Sequence, residues 1–182
     1  MPGSMPVSRS SGLSEHRIQQ AAVTGEAGHM AADIEIRPVR PTDYAGWLPL
    51  WNGYNEFYGR VGATALDPAI TETTWRRFFD PGEPVFALVA DAGGSLQGLA
   101  HYLYHRSTTR AEPVCYLQDL YTTPARRGRG IGRALIEGVY EEARQAGLKR
   151  VYWQTQATNA PGRALYDRVA RHHGFIVYSR DV

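Results

Sequence analysis

The segment from Leu117 to Tyr140 constrains the fold of this chain most, because an apolar strand pattern runs through a turn rich in Arg and Gly directly into a helix pattern. The turn, residues 126–132, reads Arg-Arg-Gly-Arg-Gly-Ile-Gly. Glycines let the backbone approach a ligand closely, and the unpaired first amides of a helix attract anions. The arginines add donors suited to phosphate. The sequence therefore predicts a pyrophosphate-binding turn at the start of a helix from about Arg129 to Ala146.

Two common phosphate-binding motifs are excluded at this turn. The Walker pattern is absent, and in Gly-x-Gly-x-x-Gly the last glycine is replaced by Arg133 or Leu135, depending on the register. What remains is Arg-x-x-Gly-x-Gly at Arg127, Gly130 and Gly132. From the turn alone, a solvated Arg-rich loop capped by a helix is the alternative interpretation.

Composition limits the remaining possibilities. The chain has 182 residues and a net charge of +2, too small to imply a nucleic-acid partner. No run of about eighteen apolar residues could span a membrane. The single cysteine, Cys115, excludes an internal disulfide and fits a cytoplasmic location. Residues 1–32 are predicted to be a flexible tail, with a short helix possible at 14–23, and residues 33–182 a single domain.

Hydrophobic periodicity predicts an alternation of strands and helices. In chain order the predicted elements are a strand at 34–38, a helix at 41–58, a helix at 68–79, strands at 84–90, 95–106 and 113–121, the helix after the turn, a strand at 149–156, a helix opened by Asn159, and a final strand at 175–178. The strands on either side of the helix that follows the turn should be parallel. Alternation along 113–121 places Leu117, Asp119 and Tyr121 on one face.

Several side chains allow both a structural and a functional reading. Trp47, Trp51, Tyr54 and Tyr58 share one face of the first long helix, which could pack in the core or wall an acceptor pocket. His101 and His105 share a face of one strand, but metal binding needs a third ligand. No metal site is therefore predicted, and both are interpreted as surface or hydrogen-bonded histidines. Cys115 is interpreted as a small core residue rather than a nucleophile.

Three short blocks follow the Arg-rich turn: Thr158-Asn159, Leu165-Tyr166 and Gly174-Phe175. Together with Arg-x-x-Gly-x-Gly, they resemble the GNAT superfamily, the acetyl-CoA-dependent N-acetyltransferases. The resemblance spans about residues 34–182. It implies an α/β GNAT fold, a single mixed and largely antiparallel sheet with a parallel splayed strand pair and helices on both faces.

The resemblance also implies where acetyl-CoA binds. In the family, the turn holds the pyrophosphate, and backbone groups at the end of the splayed strand hold the pantetheine arm. The implied cofactor contacts are Leu120, Tyr121, Thr122, Arg127, Gly128, Arg129, Gly130, Ile131, Gly132, Arg133, Asn159 and Tyr166. The hydroxyl of Tyr166 is expected near the sulfur. A phenol of pKa ~10 can donate a proton to a departing thiolate of pKa ~8.5, so Tyr166 is the predicted general acid.

The general base is not part of the motifs that carry the resemblance. The family often has Glu or His where this chain has Gln118, and Gln cannot remove a proton from the acceptor. Asp119 is the predicted base, with Glu56, a histidine or a water chain as alternatives, and pairing with an arginine as its structural role. The end of the first long helix shapes substrate choice in the family. The implied acceptor-binding candidates are Asn55, Glu56, Tyr58 and Gln118.

The resemblance implies an enzyme that moves the acetyl group of acetyl-CoA to a primary amine by direct attack. A small amine, polyamine or amino acid is the first choice of acceptor, and a protein amine the second. The alternative is a non-catalytic acyl-CoA-binding sensor with the same fold. Nucleic-acid binding through the Arg cluster is disfavoured by the small net charge. The chain ends soon after one terminal strand, so a homodimer could cover the exposed sheet edge.

Overall fold

The computed structural model describes residues 34–182, so the predicted tail at 1–32 and its helix at 14–23 lie outside the described residues. The elements are β1 Glu35–Pro38, α1 Tyr44–Phe57, α2 Pro68–Arg77, β2 Val85–Ala92, β3 Ser95–His105, β4 Val114–Thr122, α3 Ile131–Gln145, β5 Val151–Tyr152 and α4 Ala160–Val169. Three short 3-10 turns lie at Pro41–Asp43, Gly62–Thr64 and Pro124–Arg126.

The strands form one sheet in the order β1-β2-β3-β4-β5. The first four strands are antiparallel, and β5 is parallel to β4. The β4–β5 pairing consists of Cys115 opposite Val151 and Tyr116 opposite Tyr152, although β4 continues to Thr122. Past Tyr116 the two strands therefore separate. This confirms the predicted mixed, largely antiparallel sheet with a splayed parallel pair.

Helix α3 covers one face of the sheet. Its buried stripe, as predicted from the i, i+4 pattern, includes Ile131, Leu135, Val139 and Ala143. Gly138 lets the helix lie close to the sheet, because a Cβ added there would lie 2.8 Å from Cγ2 of Ile36 and 3.0 Å from Cδ1 of Leu88. Cys115 is fully buried in this core, where it packs as a small apolar residue.

Helices α1 and α2 cover the opposite face. Trp47, Trp51 and Tyr54 of the predicted stripe are buried there together with Leu99 of β3. The rings of Trp47 and Trp51 stack at 5.9 Å between centroids. The stripe is thus a core, and it encloses the polar groups described below.

An ion-pair network fixes the start of α1 to the sheet. The buried guanidinium of Arg37 in β1 binds Asp43 at 2.7 Å and Asp91 at 2.8 Å. Its hydrogen bonds lower the pKa of both carboxyl groups. The first strand, the start of α1 and the end of β2 are thereby joined at one buried cation.

The predicted alternation along β4 is wrong after Leu117. His101 of β3 pairs with Asp119, whereas Tyr102 pairs with Leu117, so Gln118 is the extra residue of a β-bulge. Leu117 packs in the core under α3, while Asp119 lies on the α1 face beside His101. A bulge reverses the faces of every residue that follows it, which strict alternation cannot anticipate.

The predicted final strand at 175–178 is also wrong, since the residues after α4 form no strand. Phe175 is 82% exposed, Ile176 73% and Tyr178 87%. Their pattern favours a strand, but a strand requires a neighbour, and β5 is only two residues long instead of the predicted 149–156. The homodimer expected at this sheet edge stays a prediction.

Candidate active site

The cleft between β4 and β5 is the central feature of the site. Past Tyr116, the β5 side of β4 has no strand neighbour within residues 34–182. Leu120, Tyr121 and Thr122 lie on this open part of β4 and lead into the Arg-rich turn. The resemblance assigns their backbone groups to an extended ligand arm, and this contact stays a prediction.

The turn and the start of α3 fit a pyrophosphate. Gly128 has φ 75° and Gly130, the N-cap of α3, has φ 84°, a left-handed region that favours glycine. No side chain caps this helix start. The amides of Ile131, Gly132 and Arg133 belong to the first helical turn, which has no intrahelical acceptors. They supply the donors and dipole that an anion requires.

The arginines of the turn differ in their contacts. Arg127 donates to the carbonyl of Thr122 at 3.2 Å and lies 5.7 Å from the ring centroid of Tyr121. Arg133 pairs with Glu137 at 2.7 Å on the exposed side of α3. Arg129 is exposed and forms no ion pair within the described residues. All three can turn toward a phosphate, the first two by giving up a surface contact.

Helix α4 forms the other wall of the cleft. Asn159 caps it by accepting from the amide of Gly162 at 3.2 Å, and its own amide donates to Thr155 Oγ1 at 2.9 Å. Tyr166 lies two turns further on and packs edge-to-face against Trp153 at 5.4 Å. Burial raises the pKa of Tyr166 to about 12. At neutral pH its hydroxyl is therefore protonated and can donate.

A buried chain of hydrogen bonds ends on Asp119. Trp47 Nε1 donates to His101 Nε2 at 2.9 Å, and His101 Nδ1 lies 3.0 Å from Asp119 Oδ2. His101 is 3% exposed and Asp119 6%. An indole nitrogen can only donate, so Nε2 is the acceptor and the ring proton is on Nδ1, directed at Asp119. His101 is thus a neutral donor with both nitrogens engaged, and it cannot itself serve as the base.

Three tyrosines surround the carboxylate of Asp119. Burial raises the pKa of Tyr54, Tyr58 and Tyr116, and the charge of Asp119 raises each of them further. A hydrogen bond with the side chain of Thr155 lowers the pKa of Tyr58. The charge of Tyr58 in turn raises the pKa of Tyr166 on α4. Tyr58 is thus coupled by charge both to the predicted base, Asp119, and to the predicted acid, Tyr166.

The acceptor-binding candidates occupy different environments. Tyr58 is half-buried beside Asp119, and Gln118 is exposed at the bulge. Glu56 is exposed at the end of α1. Asn55 is 6% exposed and its amide group is bound inside the protein, to Trp51 and Arg60. Of the four, Tyr58 is the one whose pKa the charge of Asp119 raises.

Sequence reasoning missed the parts of the site that depend on the β3–β4 register. The spacing of the two histidines groups His101 with His105, but His101 binds Asp119 whereas His105 binds the hydroxyl of Tyr152 at 2.8 Å. The role of Trp47 as a donor could not be seen in an apolar stripe. The described residues contain no cluster of three potential metal ligands.

Comparison with known proteins identifies the family. A family model described as "Acetyltransferase (GNAT) family" matches residues 47–175. The chain belongs to the GNAT acetyltransferase family. It is an N-acetyltransferase, and acetyl-CoA, the donor that the family uses, is its cofactor.

Individual relatives agree with this assignment. The D-amino-acid N-acetyltransferase HPA3 of Saccharomyces cerevisiae is 35% identical over 150 residues, covering 81% of this chain and 91% of that protein. The aminoglycoside acetyltransferase meta-AAC0020, from an uncultured soil metagenomic sample, has a TM-score of 0.70 at 15% identity, covering 84% and 99%. AAC(6')-Iy with a CoA bisubstrate analogue has a TM-score of 0.68 at 17% identity, covering 82% and 98%. These two structures share the fold.

The remaining expectations concern location and assembly. Within residues 34–182, no helix combines the length and the hydrophobicity needed to cross a membrane. The cytoplasmic location stays a prediction.

Proposed function

We propose that this N-acetyltransferase acetylates the primary amine of a small molecule, with an amino acid as the first choice of acceptor, by direct attack in a ternary complex. The observation that carries the proposal is the buried carboxylate of Asp119, which His101 binds at 3.0 Å and whose charge raises the pKa of Tyr54. The similarity to a D-amino-acid N-acetyltransferase supports the choice of acceptor. Small amines and polyamines remain in the same class, and a protein amine is the second choice.

Asp119 is proposed to prepare the acceptor nitrogen. An amine of pKa ~10 arrives as an ammonium ion and must lose a proton before it can attack. His101 binds Oδ2, so Oδ1 remains to accept that proton, with the hydroxyl of Tyr54 close by. Because His101 is neutral, its hydrogen bond orients the carboxylate without cancelling its charge.

Acetyl-CoA, when bound, supplies the thioester that reacts. The residues that would hold it are those of the turn and the start of α3, the open end of β4, and Asn159. Tyr166 would donate its hydroxyl proton to the leaving sulfur and regain a proton from solvent, while Asp119 would take the first proton of the acceptor nitrogen and solvent the second. The acceptor nitrogen loses two protons in all, so one proton is released for each acetyl group transferred.

Free-thiol release from acetyl-CoA tests the proposal. Wild type, Asp119→Asn and Tyr166→Phe should be compared on a panel of amino acids, amines, polyamines and basic peptides, with Tyr178→Phe as an exposed control. We expect both site variants to lose at least tenfold in kcat with the best acceptor, because general acid–base catalysis contributes about 10²–10⁴-fold. An unaffected Asp119→Asn would remove Asp119 as the base. Tight CoA binding without turnover on any acceptor would favour the acyl-CoA sensor.

A further inference from the structure

Arg60, just beyond the end of α1, is held in a defined position. Its backbone amide donates to the carbonyl of Asn55 at 2.9 Å, and its Nη1 donates to Oδ1 of the same residue at 3.1 Å. The amide nitrogen of Asn55 in turn donates to the carbonyl of Trp51 at 2.8 Å. Since Asn55 is buried, its side chain acts as a fixed support for the guanidinium group, which is itself exposed.

The guanidinium group lies on the side of the cleft that contains Asp119. Its central carbon is 5.8 Å from the ring centroid of Tyr58. Its positive charge lowers the pKa of Tyr54 and Tyr58, the same two hydroxyls whose pKa the charge of Asp119 raises. A cation and an anion thus act on the same pair of phenols.

The guanidinium group retains most of its binding capacity. Arginine has five N–H donors in a planar fork, and Asn55 takes one of them. Within residues 34–182, no carboxylate lies within 4.0 Å of Arg60. A planar anion with two oxygens is the ligand that such a fork binds best.

We propose that Arg60, held by Asn55, is a carboxylate-binding subsite that receives the α-carboxylate of an amino-acid acceptor while Asp119 receives its ammonium group. This inference rests on the proposed function and makes it more specific. Arg60 and Asp119 carry opposite charges, which matches a zwitterion. The charged groups of polyamines and aminoglycosides are all positive, so these acceptors would leave Arg60 without an anionic partner.

Amino acids and their amides provide the decisive comparison, because an amide keeps the reactive amine and lacks the carboxylate. Alanine and alaninamide, each in both chiral forms, should be assayed with wild type, Arg60→Gln and Arg60→Lys. Arg60→Gln keeps a polar side chain but removes the charge, and Arg60→Lys keeps the charge without the planar fork. Arg76→Gln, an exposed arginine of α2 outside the cleft, is the matched control.

We expect Arg60→Gln to lower kcat/KM for alanine about 10- to 100-fold, mainly through KM, and to leave alaninamide nearly unchanged. Arg60→Lys should recover part of the loss, and Arg76→Gln should match wild type. Calorimetric binding of N-acetylalanine in the presence of CoA gives a second readout that needs no turnover, and it should weaken in Arg60→Gln by a similar factor.

Other results would overturn the inference. Equal losses for alanine and alaninamide would mean that Arg60 only stabilises the loop, and no loss for either would remove it from the site. A wild-type enzyme that prefers alaninamide or a polyamine to alanine would contradict both the subsite and the amino-acid acceptor, while the transferase itself would stand. If no acceptor is turned over, unaltered N-acetylalanine binding in Arg60→Gln would still reject the subsite.

Discussion

Replacing Trp47 by phenylalanine removes one donor from the buried chain that ends on Asp119. In the wild-type protein, the indole N–H of Trp47 donates to Nε2 of His101 at 2.9 Å. This bond fixes the ring proton of His101 on Nδ1, which lies 3.0 Å from Asp119 Oδ2. Phenylalanine keeps an aromatic ring in the core but offers no donor. In the variant, Nε2 becomes a buried acceptor without its partner, and it is also the one nitrogen of the ring that can take a second proton.

The cost in stability follows from two contributions. An unsatisfied buried polar group costs about 1–3 kcal/mol. The second ring of the indole is also lost, and because each buried CH₂ is worth about 0.8 kcal/mol, this adds about 2 kcal/mol. We expect the free energy of unfolding to fall by about 3–5 kcal/mol. Trp51→Phe is the matched control, because it makes the same ring change in the same stacked pair but loses only a bond to Thr71 Oγ1 at 3.1 Å.

The catalytic consequence separates the two variants. A proton on Nε2 would turn His101 from a neutral donor into a cation bound to Asp119, which would hold the carboxylate as an anion and weaken it as a base. Unperturbed imidazoles change charge between about pH 5 and 8. The other groups near the carboxylate are phenols, Tyr54, Tyr58 and Tyr116, whose pKa values are raised, so they stay neutral in this range.

The assay is the pH dependence of kcat/KM by free-thiol release, with imidazole ¹⁵N NMR to locate the proton on His101. Trp47→Phe should lose activity more steeply than wild type as the pH falls through this range, and Trp51→Phe should follow wild type. Parallel profiles for the two variants would refute the reasoning. So would a wild-type spectrum with the proton of His101 on Nε2.

Three further results follow from buried groups outside this chain. Cys115 should resist alkylation at pH 8 until the protein unfolds, because burial raises the pKa of its thiol to about 12. The free energy of unfolding should decrease from about pH 5 downward. The pKa values of Asp43 and Asp91 are lowered by Arg37 in the folded state, so their stabilising effect is present above the ordinary value of 3.8 and is lost as both become protonated. Gly138→Ala should lower this free energy by about 1–3 kcal/mol in urea unfolding, because the added methyl group crowds the sheet.

Each of these predictions has a contrary outcome. Rapid labelling of native Cys115 would mean that the core under α3 opens readily. In Arg37→Gln the acid dependence should be much weaker than in wild type, and an unchanged slope would assign it to other carboxyl groups. Wild-type stability in Gly138→Ala would mean that α3 can move away from β1 and β2 at little cost.

The elements that the sequence predicts correctly depend on local patterns. The buried stripe of α3 repeats every three to four residues, and the glycines before it can adopt the positive φ that the turn requires. Asn159 as the N-cap of α4 and the fully buried position of Cys115 follow from residue type and immediate neighbours. Such features need no knowledge of which strands pair.

The errors concern pairing. The strand at 175–178 has a suitable composition, but composition does not supply a neighbouring strand. The contact between His101 and Asp119 depends on the register of β3 against β4, and strict alternation gives the wrong face for Asp119. The support that Asn55 gives to Arg60 likewise depends on how the chain turns back after α1.

The bulge at Gln118 explains why a carboxylate can occupy the middle of this sheet. In a regular β4, Asp119 would share the face of Leu117 and point into the apolar core under α3, where a buried charge without a partner costs far more than the fold can offset. The extra residue turns Asp119 to the α1 face, where His101 supplies a donor and Trp47 fixes its tautomer. Bulge, histidine and indole therefore form one structural unit, because together they give the buried carboxylate a face and a hydrogen-bond partner.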